Sequence, residues 1–241
     1  HVYLMRNICK YKTLDSTMEE YFRLLDACGS RDRHVLNSET QYAGRGRDGA
    51  DWQSPAGGLY LTFDLLQFPS VPSFALYIGY CVHKLLASLF SFEDLKIKWP
   101  NDIYLGGAKL AGILCRHQVE NGRYVIGLGI NTNTNIDEVK LEDKIANISD
   151  NIGFPVSNSL LASLIVYAVE RDSYMLRESH LYLGYCDQHL YAKNKQAEIV
   201  QQGLRINGTI RGLDAEGALI LDRGGAGLSQ VTHGSLRVLP E

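Results

Sequence analysis

The sequence predicts an α+β protein in which a larger mixed unit precedes a small all-β one. Helical periodicities alternate with short apolar runs from residue 8 to about residue 190. The composition then changes near Tyr191-Ala-Lys-Asn-Lys195, and only short β-like runs separated by turns follow. At 241 residues with 45% hydrophobic content, the chain can bury one large core and a small second one. We therefore expect domains at residues 1–192 and 193–241.

Taken in order, residues 8–11 read as a first short strand. Ser16-Thr-Met-Glu19 fits a capping box, with Ser16 as N-cap and Glu19 reaching back. Met18, Tyr21, Phe22, Leu24 and Leu25 then recur at helical spacing until Gly29. Residues 34–37 and 59–66 have the apolar, aromatic and β-branched content of strands. Residues 71–90 carry the long apolar pattern of a buried helix. Residues 96–99 alternate and must stop at Pro100, which cannot donate to a ladder. Gly106-Gly107 between residues 103–105 and 110–116 signals a hairpin. Residues 124–131 form a glycine-rich strand, and residues 158–190 read as one long packed helix. In the tail, strands are predicted at 197–200, 204–213, 218–222, 228–232 and 235–239, enough for a small β-barrel.

A net charge of −3 gives no support to general nucleic-acid binding, so local arginines read as site chemistry. The five cysteines are dispersed and form no CxxC pair, as expected of reduced thiols in a cytoplasmic protein. Neither a signal peptide nor an apolar run of membrane-spanning length is present.

Two segments carry chemistry. Gln41-Tyr-Ala-Gly-Arg-Gly-Arg-Asp-Gly49 sets two arginines among three glycines. Such glycines let backbone N–H groups approach a ligand, and the guanidinium forks suit phosphate and carboxylate. Lys98-Trp-Pro-Asn-Asp102 ends a strand with two polar side chains at its mouth, and Lys109 follows beside the glycine turn. A cationic loop plus a separate lysine is what joining a carboxylate to a triphosphate requires. Read alone, each part has a bland alternative: a surface loop, an Asx turn, a solvated turn lysine, a helix cap at Ser16-Thr17. Gly127-Leu-Gly-Ile-Asn131 lacks the helix that a dinucleotide fingerprint needs.

Together, Asp15-Ser-Thr17, Gln41 with the Gly44–Gly49 run, Trp52 with Ser54-Pro55, Lys98–Asp102, Lys109-Leu-Ala-Gly112 and Gly127–Asn131 closely resemble the biotin–protein ligases. The resemblance spans residues 14–131, and the β-rich tail matches the small barrel of many members. It implies a catalytic domain related to class II aminoacyl-tRNA synthetases, with a mixed sheet and packed helices, plus a C-terminal SH3-like barrel. It further implies adenylation of biotin by ATP with Mg²⁺, then transfer of biotin to a lysine of a biotin carboxyl carrier protein, that of acetyl-CoA carboxylase foremost. By the same resemblance, Ser16, Thr17, Gln41, Gly44, Arg45, Lys109 and Gly112 form the biotin site. Arg45, Arg47, Trp52, Asn101 and Asn131 would serve the nucleotide. Arg45, Arg47, Lys109 and Asp102 would carry the chemistry, with Asp102 also the Mg²⁺ ligand and the base for the acceptor lysine. The glycine–arginine loop would become ordered as ligand arrives.

Three departures from the family pattern stand out. Met18 replaces an asparagine that commonly follows Ser-Thr, Asp48 and Ala50 replace residues that are often basic, and no tryptophan beyond Trp99 is available to cover adenine. With the Ser-Thr motif only 16 residues in, no N-terminal DNA-binding domain is expected, hence no DNA partner and no membrane. A homodimer is among the assemblies the resemblance implies. The rival readings are a lipoate or octanoate ligase or transferase of the same fold, and a non-enzymatic biotin sensor.

Overall fold

A computed structural model describes residues 6–29, 33–139 and 144–240. Strand β1 (Asn7–Leu14), helix α1 (Thr17–Cys28) and strand β2 (His34–Gln41) form a βαβ unit in which β1 and β2 pair in parallel. Strands β3 (Leu59–Leu65), β4 (Leu95–Lys98), β5 (Asp102–Leu105), β6 (Ala108–Gln118) and β7 (Arg123–Ile130) complete a seven-stranded mixed sheet. Its order is β1-β2-β3-β7-β6-β5-β4, antiparallel after the first pair.

The two faces of this sheet have different tasks. From β3, Leu59, Leu61, Phe63 and Leu65 enter the main core, as do Tyr124, Ile126, Leu128 and Ile130 of β7. Helices α2 (Phe74–Leu89), α3 (Ile148–Ile152), α4 (Asn158–Arg171) and α5 (His180–Gln188) contribute to that core. On the opposite face α1 packs Met18, Tyr21 and Leu25 over Leu36 and Val125. Every residue of β3 is buried, so its apolar/polar alternation separates two interiors rather than an interior from solvent.

A charged cluster surrounds Asp64 near the end of β3. Asp64 of β3, fully buried, binds Arg6 at 2.8 Å, Arg33 at 3.1 Å and the buried Arg123. Glu170 of α4 binds Arg6 and Arg33 from the other side, and Arg123 also donates to the Tyr21 hydroxyl. Three guanidinium groups thus surround two carboxylates where β1, β2, β3 and α4 meet.

Two expected features are corrected. The long helix of residues 158–190 is broken into α4, a 3₁₀ segment over Ser173–Arg177, and α5. Asp172 leaves the helix and holds Arg171 at 2.7 Å, and Glu178 is non-helical at φ −139°, ψ 82°. Short polar residues at these points compete for backbone hydrogen bonds and favour helix ends. The capping box also fails to form. Ser16 is the N-cap but makes no side-chain cap bond, and Glu19 pairs with Arg116 at 2.9 Å. The first helical N–H, of Thr17, donates instead to Gln41 Oε1 at 2.8 Å. A side chain from β2 therefore satisfies one orphan donor of α1.

The five tail strands β8 (Gln196–Gln201), β9 (Leu204–Leu213), β10 (Leu219–Asp222), β11 (Leu228–Val231) and β12 (Ser235–Val238) fall where the turn pattern places them. They form one antiparallel sheet in the order β11-β10-β9-β8-β12. Its edges, β11 and β12, do not pair among the described residues, so the sheet is open. It meets the rest of the protein through a shared core that includes Ala197, Ile199, Ile210 and Leu219. Gly217, at φ +86°, lets the β9–β10 turn approach Ser73 and Leu76, and its carbonyl accepts the Trp99 indole N–H at 3.1 Å. Among the described residues no helix is long and apolar enough to cross a membrane.

His83 in α2 is 2% exposed, between the Tyr185 hydroxyl and the Leu95 carbonyl, each 2.9 Å from a ring nitrogen. Burial pushes its pKa down to about 4, and neighbouring His189 and Lys96 push the same way. The unfolded imidazole takes its proton near 6.5, so stability is lost as pH falls from about 6.5 to 4, by up to about 3 kcal/mol. Denaturant melts across this range are expected to show a shallower pH slope for His83→Gln than for the parent. Equal slopes would show that another group controls the window.

Candidate active site

A cleft of about 550 Å³ opens on the α1 face of the large sheet. Its floor exists because three paired positions lack side chains: Gly112 of β6 lies opposite Gly129 of β7, and Gly127 lies opposite Thr62 of β3. The Trp52 indole fills the first gap. A Cβ on Gly129 would sit 2.4 Å from Trp52 Cε2, and one on Gly112 2.8 Å from Cζ3. Met18 fills the second, since a Cβ on Gly127 would lie 2.9 Å from its Cε.

Gly129→Ala is therefore expected to drive Trp52 from its seat at a stability cost of about 1–3 kcal/mol. In a Trp99→Phe background, Trp52 emission should shift to the red as the ring becomes hydrated. An unshifted spectrum would mean that the ring does not depend on the glycine floor.

At the inner end, Thr62 donates to the Thr17 hydroxyl at 2.9 Å, and that hydroxyl donates to Gln41 Oε1 at 3.2 Å. Gln41 Nε2 continues to Ser54 Oγ at 2.8 Å, and Ser54 to the Trp52 carbonyl at 3.2 Å. Ser16 and Thr17, both nearly buried, line the cleft beside this chain. Polar groups so fixed can recognise a compact polar ring without first reorganising. The buried Trp52 Nε1–H has no hydrogen-bond partner among the described residues.

The glycine–arginine segment forms a tight hairpin closed by its own backbone. Gly46 N donates to the Ala50 carbonyl at 2.7 Å, and Trp52 N to the Gly44 carbonyl at 3.0 Å. Gly44 cannot be larger, because a Cβ there would lie 2.5 Å from the Trp52 carbonyl oxygen. Arg45 pairs across the hairpin with Asp51 at 2.6 Å, and Arg47 reaches the Gly234 carbonyl at 2.8 Å. The ordering expected on ligand arrival thus starts from a hairpin that is already closed.

Facing it, Asn101 Nδ2 donates to the Ile113 carbonyl at 2.7 Å, which leaves its Oδ1 towards Arg47 at 3.4 Å. Gly106 and Gly107, both at positive φ, turn β5 into β6 and bring Lys109 Nζ 2.9 Å from Asp102 Oδ2. Lys109 also lies 5.3 Å from the centre of the Trp52 ring.

Of the residues nominated from sequence, Ser16, Thr17, Gln41, Arg45, Arg47, Trp52, Asn101, Asp102, Lys109 and Gly112 all line the cleft. Gly44 and Asn131 stand one layer behind. Asn131 is buried, and its side chain donates to the Lys109 carbonyl at 3.4 Å. It thereby supports the strand that carries Lys109. Thr62 and residues 234–236 also line the cleft and were not read from sequence, whereas Lys98 and Gly127–Gly129, which line it too, lie in motifs singled out there without a role in the site. A threonine in the apolar run of β3 was a signal for the first. Nothing local marks the β11–β12 turn and the start of β12, which arrive from more than 100 residues away in sequence.

The fold and the cleft define an α+β scaffold whose site combines a polar inner pocket with a cationic outer end. Residues 12–133 match the family described as the Biotin/lipoate A/B protein ligase family. The chain is 31% identical to the bifunctional ligase/repressor BirA of Salmonella typhimurium over 91% of this chain and 70% of that one. It is 30% identical to the biotin–[acetyl-CoA-carboxylase] ligase of Mycobacterium tuberculosis, covering 80% and 75% of the two chains. The biotin protein ligase from Aquifex aeolicus, solved in complex with biotin and ATP, shares the fold. The TM-score is 0.84 at 23% identity, over 98% of this chain and all of that one. The protein belongs to the biotin/lipoate A/B protein ligase family.

Proposed function

We propose that this protein is an ATP-dependent biotin–protein ligase that forms biotinyl-5′-AMP and passes biotin to a lysine of a biotin carboxyl carrier protein. One observation carries this reading. A preformed hydrogen-bonding pocket and a cationic end share one cleft over a glycine floor. The biotin-ligase relatives support biotin over lipoate as the acid, and the name of the mycobacterial one supports an acetyl-CoA carboxylase carrier.

In this account Ser16, Thr17 and Gln41 hold the ureido ring beside the Trp52 indole. Gly112 and Gly129 keep the floor low enough for the indole. Arg45, Arg47 and Asn101 receive the phosphates. Lys109 leaves Asp102 for the biotin carboxylate and the α-phosphate oxygen. The carboxylate oxygen bonds to the α-phosphorus as the bond to the β-phosphate breaks, and pyrophosphate departs. Fixed cations stabilise the charge that grows on the phosphoryl oxygens. In the second step the carrier lysine attacks the acyl carbon, AMP leaves, and Asp102, freed from Lys109, accepts the amine proton.

No group of three or more acidic, histidine or cysteine side chains suited to a metal occurs among the described residues. Mg²⁺ fits here as an ion held chiefly by substrate phosphates, with Asp102 as its protein ligand, as is usual for this cation. When bound it neutralises phosphate charge. We place the domain boundary at residues 192–193, where Ala192 and Asn194, both at positive φ, turn the chain from α5 into β8. The C-terminal sheet then takes the part of the SH3-like module.

Incubation with ATP and either biotin, lipoate or octanoate tests the reading through pyrophosphate release. Release with biotin alone is expected. Equal release with lipoate or octanoate would move the protein to the other branch of the family. Biotin binding without release would make it a sensor.

A further inference from the structure

Three cations of the cleft, Lys109, Arg45 and Arg47, each face a carboxylate of this chain. Lys109 holds Asp102 at 2.9 Å, Arg45 holds Asp51 at 2.6 Å, and Arg47 lies 3.4 Å from Asp48. The three acids are not equivalent. The Asp102 side chain is 15% exposed and built into the β5–β6 hairpin, whereas those of Asp48 and Asp51 are 82% and 81% exposed at the rim. From Gly44 to Trp52 the formal charge is zero, two arginines against two aspartates.

The hairpin does not need the Asp51 carboxylate for its shape. The Gly46–Ala50 and Trp52–Gly44 backbone bonds close it independently. An exposed ion pair of this kind contributes little to stability. It does place a negative charge where an incoming polyphosphate must bind, and it occupies the fork that would receive it.

Resting on the ligase reading above, we propose that Asp51, with Asp48 as a lesser partner, is a resident counter-ion that positions Arg45 between turnovers and keeps nucleotide affinity low. Triphosphate binding is then an exchange: the phosphate takes the Arg45 fork, and the well-hydrated Asp51 carboxylate swings into solvent. A purely structural Asp51 has the opposite signature, since its removal would loosen Arg45 and weaken nucleotide binding.

The test is the KM for ATP in biotin-dependent pyrophosphate release. Asp51→Asn is expected to lower it about three- to fivefold, and the Asp48→Asn/Asp51→Asn double variant up to about tenfold. Asp51→Glu, which keeps the charge, should stay near the parent, and the gain should shrink at high salt. The KM for biotin should move less than twofold in all of them. An ATP KM that is unchanged or raised in Asp51→Asn overturns the proposal. If the parent protein releases no pyrophosphate with biotin, the ligase reading itself fails. Equilibrium binding of inorganic tripolyphosphate then tests the counter-ion without turnover: tighter binding by Asp51→Asn supports it, and equal or weaker binding overturns it.

Discussion

Replacing Lys109 by alanine is expected to slow biotin-dependent pyrophosphate release by about 10²- to 10³-fold in kcat, the usual cost of losing one preorganised group at a developing charge. The geometry makes this the most exposed point of the mechanism. Lys109 is held by Asp102 at 2.9 Å on one side and lies over the Trp52 ring at 5.3 Å. Its ammonium lines the same cleft as the polar inner pocket and the arginines of the hairpin, and in the proposed reaction the attacking carboxylate and the α-phosphate meet beside it. Removal takes away that cation and leaves the Asp102 carboxylate unopposed at the same place, so repulsion adds to the loss. Lys109→Arg should recover only part of the rate, because a planar fork cannot occupy the position of a compact ammonium. The chain should remain folded, since the side chain is a fifth exposed and anchors no core. Initial rates at saturating ATP and biotin, with a thermal melt beside them, decide the matter.

Asp64→Asn is expected to have the largest effect on stability, about 3–5 kcal/mol, because it leaves buried guanidinium groups without their shared counter-charge. Asparagine keeps the shape, so the loss is electrostatic. Arg6, Arg33 and Arg123 all converge on this carboxylate, and Glu170 alone cannot balance them. For a chain of this size the melting temperature should fall by roughly 10 °C or more. A shift of only a degree or two would show that the arginines find other partners or water.

The parts of the site that the sequence disclosed are those written in adjacent residues. Glycines around Arg45 and Arg47, Pro100 ending a strand, and the Gly106-Gly107 turn beside Lys109 each impose a local geometry. The tail strands were legible for the same reason, since turn residues punctuate them. What stayed hidden depends on register and on distance along the chain. Gly112 and Gly129 read separately as strand glycines; only their pairing makes them a seat for Trp52. The pairing of Arg45 with Asp51 needs the hairpin to close. Gln41 displaced Glu19 as the partner of the α1 N-terminus because β2 ends beside it in space, which no capping pattern encodes. The break at Asp172 was concealed by apolar content that continues through two separate helices. Met18 reads as an odd substitution in sequence, whereas in the fold it covers Gly127 and joins the α1 core.

The most direct measurement is transfer itself: purified protein, ATP, biotin and a biotin carboxyl carrier domain, with the carrier followed by intact mass. The account requires one biotin per carrier on its acceptor lysine, dependent on ATP, with the rate falling with adenylation in the Lys109→Ala variant. A carrier left unmodified by the parent protein, or modified as fast by the Lys109→Ala variant, would contradict it.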